Sequence, residues 1–437
     1  MMDSISFLFV DVWFYITQQF QTREAFDWVL FFFPFVALIE GPRYIIPIFV
    51  LPIMRAFGLR GENKFLQKEF LRSNPRVSII VAGRNEEAII GRTIDSLLEL
   101  PYENKEIIVI DDASDDNMYS VCLPYAKKGL IRLFKNESQM GRTGRPVASN
   151  LGLKMSTGEF IISVDADTSY DRDTIERMVG PFYDPEVGGV AGNLKARNAG
   201  ESIWADFQAL EYMISIGLWK RWTSMIGATT QASGAFGSFR KKALLDFGGW
   251  DPELAEDADL TLKVIKNGWK ITFSPHAVAM TSVPADLKTL VSQRVRWDKG
   301  SIRTYFHKHA NIFRFWKFGF NHFIELGQEF LIFYVATLIY PFYIIYMLIN
   351  DWKFFLFAYC FAYCLYSIIS FFSILVSVSF SERKHEEWWM LWYAPIYPFY
   401  KEVFRWVRLR ACIEETFRLD YQEGYIPESG YKNSEKW

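Results

Sequence analysis

Cysteine, histidine and net charge are all scarce in this chain of 437 residues. The four cysteines, Cys122, Cys360, Cys364 and Cys412, show neither paired metal spacing nor a disulfide framework. Cys360 and Cys364 stand four apart in an apolar run and read as small helix-packing residues. The five histidines do not cluster, which argues against a zinc site. A formal net charge of −2 implies no general affinity for polyanions, so nucleic acid is not expected as a partner. The first residues carry Asp3 and no base, so a cleavable secretory signal is not expected. What the chain has in excess is aromatic side chains, 18% of the total, crowded toward its two ends. That distribution points to a membrane, and the length points to two or three structural units.

Residues 28–54 are largely apolar and contain Gly41-Pro42. One tilted spanning helix with a kink there fits the length, and two short re-entrant pieces are the competing reading. Arg55, Arg60, Lys64, Lys68, Arg72 and Arg76 follow at once, whereas Arg23 is the only base before the segment. This asymmetry places residues 55 onward in the cytosol. Ile5–Phe20 is short and aromatic and reads as a helix lying on the membrane surface. Toward the other end, Phe330–Ile349 and Phe354–Phe380 are each long enough to cross, with Asp351 and Lys353 in the outer loop. Trp388–Tyr400 is shorter, rich in Trp, Tyr and Pro, and followed by Lys401, Arg405, Arg408 and Arg410. An interfacial or re-entrant segment keeps those bases cytosolic.

Between the ends, roughly over residues 70–285, short β-branched runs alternate with helical patterns. Val77–Val81, Ile107–Ile110 and Phe160–Val164 are continuous, as strands buried on both faces should be. Ala88–Leu100 and Pro146–Met155 carry helical periodicity. Strand and helix in alternation imply an α/β unit with a parallel sheet.

Each of these strands runs into polar residues: Gly83-Arg84-Asn85-Glu86, Asp111-Asp112 and Asp165-Ala166-Asp167. Ligands of open α/β sheets bind outside the carboxyl ends of the strands. One such end alone is more simply a helix cap; three acidic ends together are harder to explain that way. Asp165 and Asp167 offer two hard oxygen ligands, suited to Mg²⁺ or Mn²⁺ held jointly with a phosphate. Gly144-Arg145-Pro146 opens a helix with a base, which is either a phosphate site or an ordinary proline-first helix start. Glu256-Asp257 precedes the helical run Ala258–Lys266. Acids there complement the helix dipole, and a carboxylate so placed also suits a general base. Gln293, Arg296 and Trp297 fall on one face of an amphipathic stretch, beside Arg294. Such a face can hold a diphosphate and stack an indole on a sugar, or merely snorkel at a membrane interface.

In this order the motifs resemble the processive inverting glycosyltransferases of family 2, which include hyaluronan, chitin, cellulose and poly-β-1,6-N-acetylglucosamine synthases. The resemblance covers roughly residues 77–300 and takes in Ser233-Gly234 as well. It implies a GT-A-type parallel-sheet nucleotide-sugar domain inserted between N- and C-terminal transmembrane helices. The implied layout is residues 1–57 for the surface and first spanning helices and 70–285 for the cytosolic catalytic domain. Amphipathic interface helices take 286–325, transmembrane or re-entrant helices 326–406, and a cytosolic tail 407–437. By resemblance, Asn85, Glu86, Asp111, Asp112, Arg145 and Asp165 would bind the nucleotide donor, with Asp112 on the uracil. Asp165 and Asp167 would hold Mg²⁺ or Mn²⁺, and Asp257 would be the catalytic base. Ser233, Gly234, Glu256, Gln293, Arg294, Arg296 and Trp297 would form the acceptor and diphosphate site. Arg145 stands where the family usually carries Lys, and Ala255 where it usually carries Thr. The implied function is transfer from a UDP-sugar, UDP-N-acetylglucosamine foremost, to a growing β-linked polysaccharide and its translocation. Expected partners are the donor, a glycan or lipid acceptor, membrane lipids and any accessory export subunits. Two alternatives compete: addition of a single sugar to a membrane lipid, and an inactive membrane scaffold. The scaffold would predict a damaged acid set, yet Asp111, Asp112, Asp165, Asp167 and Asp257 are all present.

The base asymmetry around residues 28–54 predicts a topology. A cysteine replacing Asp420 should stay unlabelled by a membrane-impermeant thiol reagent in intact cells and react once the cells are opened.

Overall fold

The computed structural model of the chain describes residues 14, 18, 22–33, 37–58, 63–136 and 144–417. Most of the surface helix expected over Ile5–Phe20, and the tail beyond 417, lie outside the described residues.

One sheet of eight strands organises the chain between Val77 and Thr281. The strands are β1 Val77–Gly83, β2 Lys105–Asp111, β3 Arg132–Lys135, β4 Phe160–Asp165, β5 Ser169–Tyr170, β6 Val187–Ala196, β7 Phe236–Arg240 and β8 Lys270–Thr281. Their order is β3-β2-β1-β4-β7-β6-β8-β5. The half β3-β2-β1-β4 is parallel, as the β-branched runs foretell. Beyond β4 the sheet is mixed: β7 pairs antiparallel with both β4 and β6, β8 runs parallel to β6, and β5 is antiparallel to β8. The wholly parallel sheet expected from sequence is therefore corrected. The reason is visible in β6 and β7, whose Val187-Gly-Gly-Val-Ala-Gly192 and Phe236-Gly-Ser-Phe239 lack a continuous β-branched run.

Register places the chemistry. Gly83 pairs with Asp111 and Ala82 with Asp165, so the polar ends of β1, β2 and β4 stand at one level along one edge. Helices cover the sheet; Ile90–Leu98 buries Ile90, Thr93, Ile94 and Leu97, an i, i+3, i+4, i+7 stripe.

One helix, from Ile203 to Met225, changes character midway: Met213–Trp219 is π-helical between α-helical ends. The widened turn alters which residues face inward, and such insertions are frequent at functional sites.

Among the described residues, one segment, Phe320–Phe380, is long and apolar enough to cross a membrane by length and composition. It is not a single rod. Asp351 leaves helical geometry and caps the helix Trp352–Phe380 through Phe354 N–H, so the segment forms two arms, Thr337–Asn350 and Trp352–Phe380. Ile339, Phe342, Ile345, Leu348, Leu356, Phe361, Ile368 and Phe372 stay exposed along them. Near the N-terminus, Ala25–Phe32 and Ala37–Ala56 are helical, the latter running through Gly41-Pro42. Residues 34–36, in the middle of the segment expected over 28–54, lie outside the described residues.

The segment Trp388–Tyr400 forms a 3₁₀ turn that leads into the helix Tyr397–Thr416. Tyr400 stacks on Phe207 with ring centres 4.9 Å apart, and Tyr393 meets the same ring edge-on. Tyr393 Oη donates to Asp206 and Tyr400 Oη to Glu211, so this segment is fastened to the helix Ile203–Tyr212.

Candidate active site

The loops after β1 and β2 interlock. Asn85 and Ala113, neither of them glycine, adopt left-handed backbone angles with φ of 59° and 52°. Such angles persist only where surroundings enforce them. Here Asn85 N–H donates to Ser114 Oγ, Asp115 N–H donates to Asn85 Oδ1, and Arg84 pairs with Asp115 at 2.7 Å. Asp111 and Asp112 are both buried. Asp111 accepts from Ser114 N–H and holds the turn, whereas Asp112 accepts from Asn136 Nδ2 at 2.6 Å. The two acids that the sequence sets side by side thus take different tasks.

Acids then crowd at the neighbouring strand ends. Burial, with Asp167, Asp165 and Asp116 nearby, pushes the Glu86 carboxyl up to about 7. Burial also raises Asp165, against the opposing pull of Arg145 and Arg296. Asp167 lies within 3.5 Å of Thr281 Oγ1 and accepts from Thr168.

Arg145 is the cation that joins this group to the helix Glu256–Lys266. Its guanidinium lies 2.6 Å from Asp165 and 3.2 Å from Glu256, and it donates to Gly234 O. Gly234 leaves room for that approach: a Cβ there would lie 2.9 Å from Arg145 Nη1 and push the guanidinium aside. Glu256 is buried, which raises its carboxyl, and Arg145 opposes the rise. Its neighbour Asp257 accepts from Gln231 Nε2 at 2.9 Å and Gly234 N–H at 3.1 Å through one oxygen, and from Ala258 N–H through the other. Three donors fix the orientation of this carboxylate.

The helix Leu287–Ile302 supplies the remaining wall. Gln293, Arg294, Arg296 and Trp297 all line the same cavity as the acids. The two arginines part company. Arg294 pairs with Glu211 at 2.7 Å and lies over the Trp297 ring, 4.4 Å from its centre. Arg296 bears electrostatically on Asp165 and Glu256. Gln293 Oε1 is buried with no hydrogen-bond partner among the described residues.

The cavity, about 820 Å³, is lined by Arg145, Asp165, Asp167, Ser233, Gly234, Glu256 and Asp257 at one end. It continues to Tyr340, Tyr363, Tyr397 and Phe404 among the apolar helices. The structure therefore draws Arg145, Asp165, Asp167, Ser233, Gly234, Glu256 and Asp257 together with the Gln293–Trp297 face. Asn85, Glu86, Asp111 and Asp112 sit on the adjoining loops and do not line this cavity. Sequence reasoning missed Asn136, Glu211, Gln231 and Lys220. Only Gln231 carried a signal, its place two residues before Ser233-Gly234.

Residues 78–244 match the model of glycosyl transferase family 2. A poly-β-1,6-N-acetyl-D-glucosamine synthase of Staphylococcus epidermidis is 32% identical over 281 residues, 63% of this chain and 65% of that protein. One from Staphylococcus aureus strain COL is 34% identical over 226 residues, 51% of this chain and 54% of that protein. The matched stretch thus spans between about half and just under two thirds of these relatives. A mannosyltransferase from Pyrobaculum calidifontis, solved with GDP-Man and Mn²⁺, superposes with a TM-score of 0.54 at 18% identity. That likeness covers 90% of this chain and 100% of the other, and it shows a shared fold.

The shared cation yields a prediction. In Arg145→Met, Asp165 and Glu256 lose the charge that separates them, and both carboxyls rise further. The melting temperature should fall by several degrees at pH 8, on the order of 2 kcal/mol of stability. The fall should be smaller at pH 5.5, where the acids take up protons and repulsion is relieved. Melting curves of the detergent-solubilised protein at both pH values check the sign; an equal loss at both would contradict it.

Proposed function

We propose that this protein is a membrane-embedded, inverting glycosyltransferase that moves sugar from a UDP-sugar to a growing β-linked polysaccharide and helps translocate it. One observation carries the reading: Asp257 and the pair Asp165/Asp167 open on a single cavity that runs on between the apolar helices. The names of the relatives favour UDP-N-acetylglucosamine as donor.

In this reading Asp112 recognises the uracil from the interlocked loops beyond β1 and β2. Arg296 and the Gln293–Trp297 face hold the diphosphate and the acceptor. Asp257 takes the proton of the acceptor hydroxyl as that oxygen bonds to the sugar C1 and the bond from C1 to UDP breaks. The orientation of Asp257 by Gln231, Gly234 and Ala258 suits this task.

The acids fit a divalent cation. Glu86 and Asp165 are raised first by burial and then by their like-charged neighbours, and a hard cation between Asp165 and Asp167 would offset both effects. Mg²⁺ or Mn²⁺, when bound, supplies charge to offset that developing on the leaving UDP.

An ion pair and a hydrogen bond support the proposed topology. Arg23 meets Asp351 at 2.6 Å, while Arg55 donates to Ser379 O. The residues before Ala25 and the loop at Asp351 thus lie at one level, and Arg55 and the end of the helix Trp352–Phe380 at another. With the bases that follow residue 54, this favours a cytosolic catalytic domain and a far-side Asp351 loop. The domain limits given from sequence stand as part of the same proposal.

The direct test incubates the purified protein with a panel of UDP-sugars and a divalent cation and measures UDP release. Release with UDP-N-acetylglucosamine, abolished by EDTA and restored by Mn²⁺ or Mg²⁺, is expected. Undiminished release in a metal-free preparation would overturn the cation's role. Polymeric product is expected over a single-sugar glycolipid.

A further inference from the structure

Lys220 has no role in the account so far. It begins the α-helical turn that follows the π-helical Met213–Trp219, and it lines the cavity. Its Nζ donates to Ser233 Oγ at 2.9 Å, and it makes no carboxylate ion pair among the described residues. An ammonium carries three donors, and one hydrogen bond leaves two of them to find oxygen in the cavity. A lysine placed only for packing would cover its charge with a carboxylate, as Lys308 does with Asp251, Glu253 and Asp259.

The side of the cavity is defined by charge. Arg145 and Arg296 bear on Asp165 and Glu256, the diphosphate side of the proposed site. The charge that bears on Lys220 is that of Asp257. Burial pushes its ammonium down to about 8, and Asp257 opposes the fall. Gln231, which holds Asp257, and Tyr305 line the cavity with it.

We infer that Lys220 binds the acceptor: anchored on Ser233, its ammonium donates to a hydroxyl or carbonyl oxygen of the acceptor's terminal sugar and turns the attacking hydroxyl toward Asp257. The inference rests on the transferase reading above and adds the residue that reads the acceptor. Because an ammonium only donates and repels cations, the site takes neutral sugars and disfavours one bearing a protonated amine.

The test compares wild type, Lys220→Met and Lys220→Arg in transfer from UDP-N-acetylglucosamine to two oligosaccharide acceptors. One acceptor ends in N-acetylglucosamine and the other in glucosamine. Losing a hydrogen bond from a charged donor should raise the acceptor KM of Lys220→Met roughly 10- to 100-fold. The change in kcat should be smaller, and the Kd for UDP should stay within about twofold. Lys220→Arg should recover part of the loss, and the penalty against the glucosamine-ended acceptor should shrink in Lys220→Met. Retained UDP affinity also shows that the variant is folded; Ser233→Ala, which removes the anchor and leaves the charge, should raise the same KM to a lesser degree. An unchanged acceptor KM in Lys220→Met, or a loss confined to UDP affinity, would overturn the inference. If wild type itself transfers nothing, the transferase reading fails instead.

Discussion

Like charges crowded into one cleft are the constraint from which the rest of this structure follows. Glu86, Asp165, Asp167, Glu256 and Asp257 gather where β1 and β4 end and the helix Glu256–Lys266 begins. Carboxylates so close raise one another unless cations or donors intervene. Arg145 stands between Asp165 and Glu256, Arg296 bears on both, and Asp257 takes three hydrogen bonds. Gly234, without a side chain, leaves the guanidinium of Arg145 undisturbed. The crowding that remains at Glu86 and Asp165 is what a divalent cation would relieve, and it gives the proposed metal requirement a physical basis.

A second network holds the base helix from behind. Asp259, two residues after Asp257 and fully buried, meets Lys308 at 2.7 Å and His309 at 2.7 Å. Lys308 also reaches Asp251 and Glu253. These residues tie the helix Glu256–Lys266 to the turn that follows Leu287–Ile302, the helix with Gln293, Arg296 and Trp297. Breaking one partner of such a buried cluster leaves uncompensated charge, so the two helices are held as a unit. The Trp388–Tyr400 segment does the same for the helix Ile203–Tyr212 through Phe207, Asp206 and Glu211.

The legible part of the fold was the part with strong periodicity. The runs at Val77, Ile107 and Phe160 are strands because β-branched residues buried on both faces suit nothing else as well. The glycine-rich β6 and the short β7 gave no such signal, and hence half the sheet's antiparallel character went unread. In the site, residues announced themselves when they ended a strand or opened a helix, as Asp165, Asp167, Arg145 and Asp257 do. Lys220 and Glu211 did not, because their places in the cavity depend on a helix with a π-helical turn and on chain crossings far apart in sequence; Gln231 was marked only by its nearness to Ser233-Gly234. The two arginines of the Gln293–Trp297 face looked equivalent; only packing shows that Arg294 belongs to Glu211 and Trp297.

The central claim is that Asp257 accepts the acceptor's proton. Asp257 lies in the first turn of the helix Glu256–Lys266; Asp257→Asn keeps the size of the side chain and leaves one oxygen to accept from Gln231 and Gly234, so folding should change little. Transfer by Asp257→Asn should fall about 10²- to 10⁴-fold with UDP binding retained, and Glu256→Gln should lose less. If Asp257→Asn instead keeps most of its transfer while Asp167→Asn loses it, the base is another residue and the account is wrong at its centre.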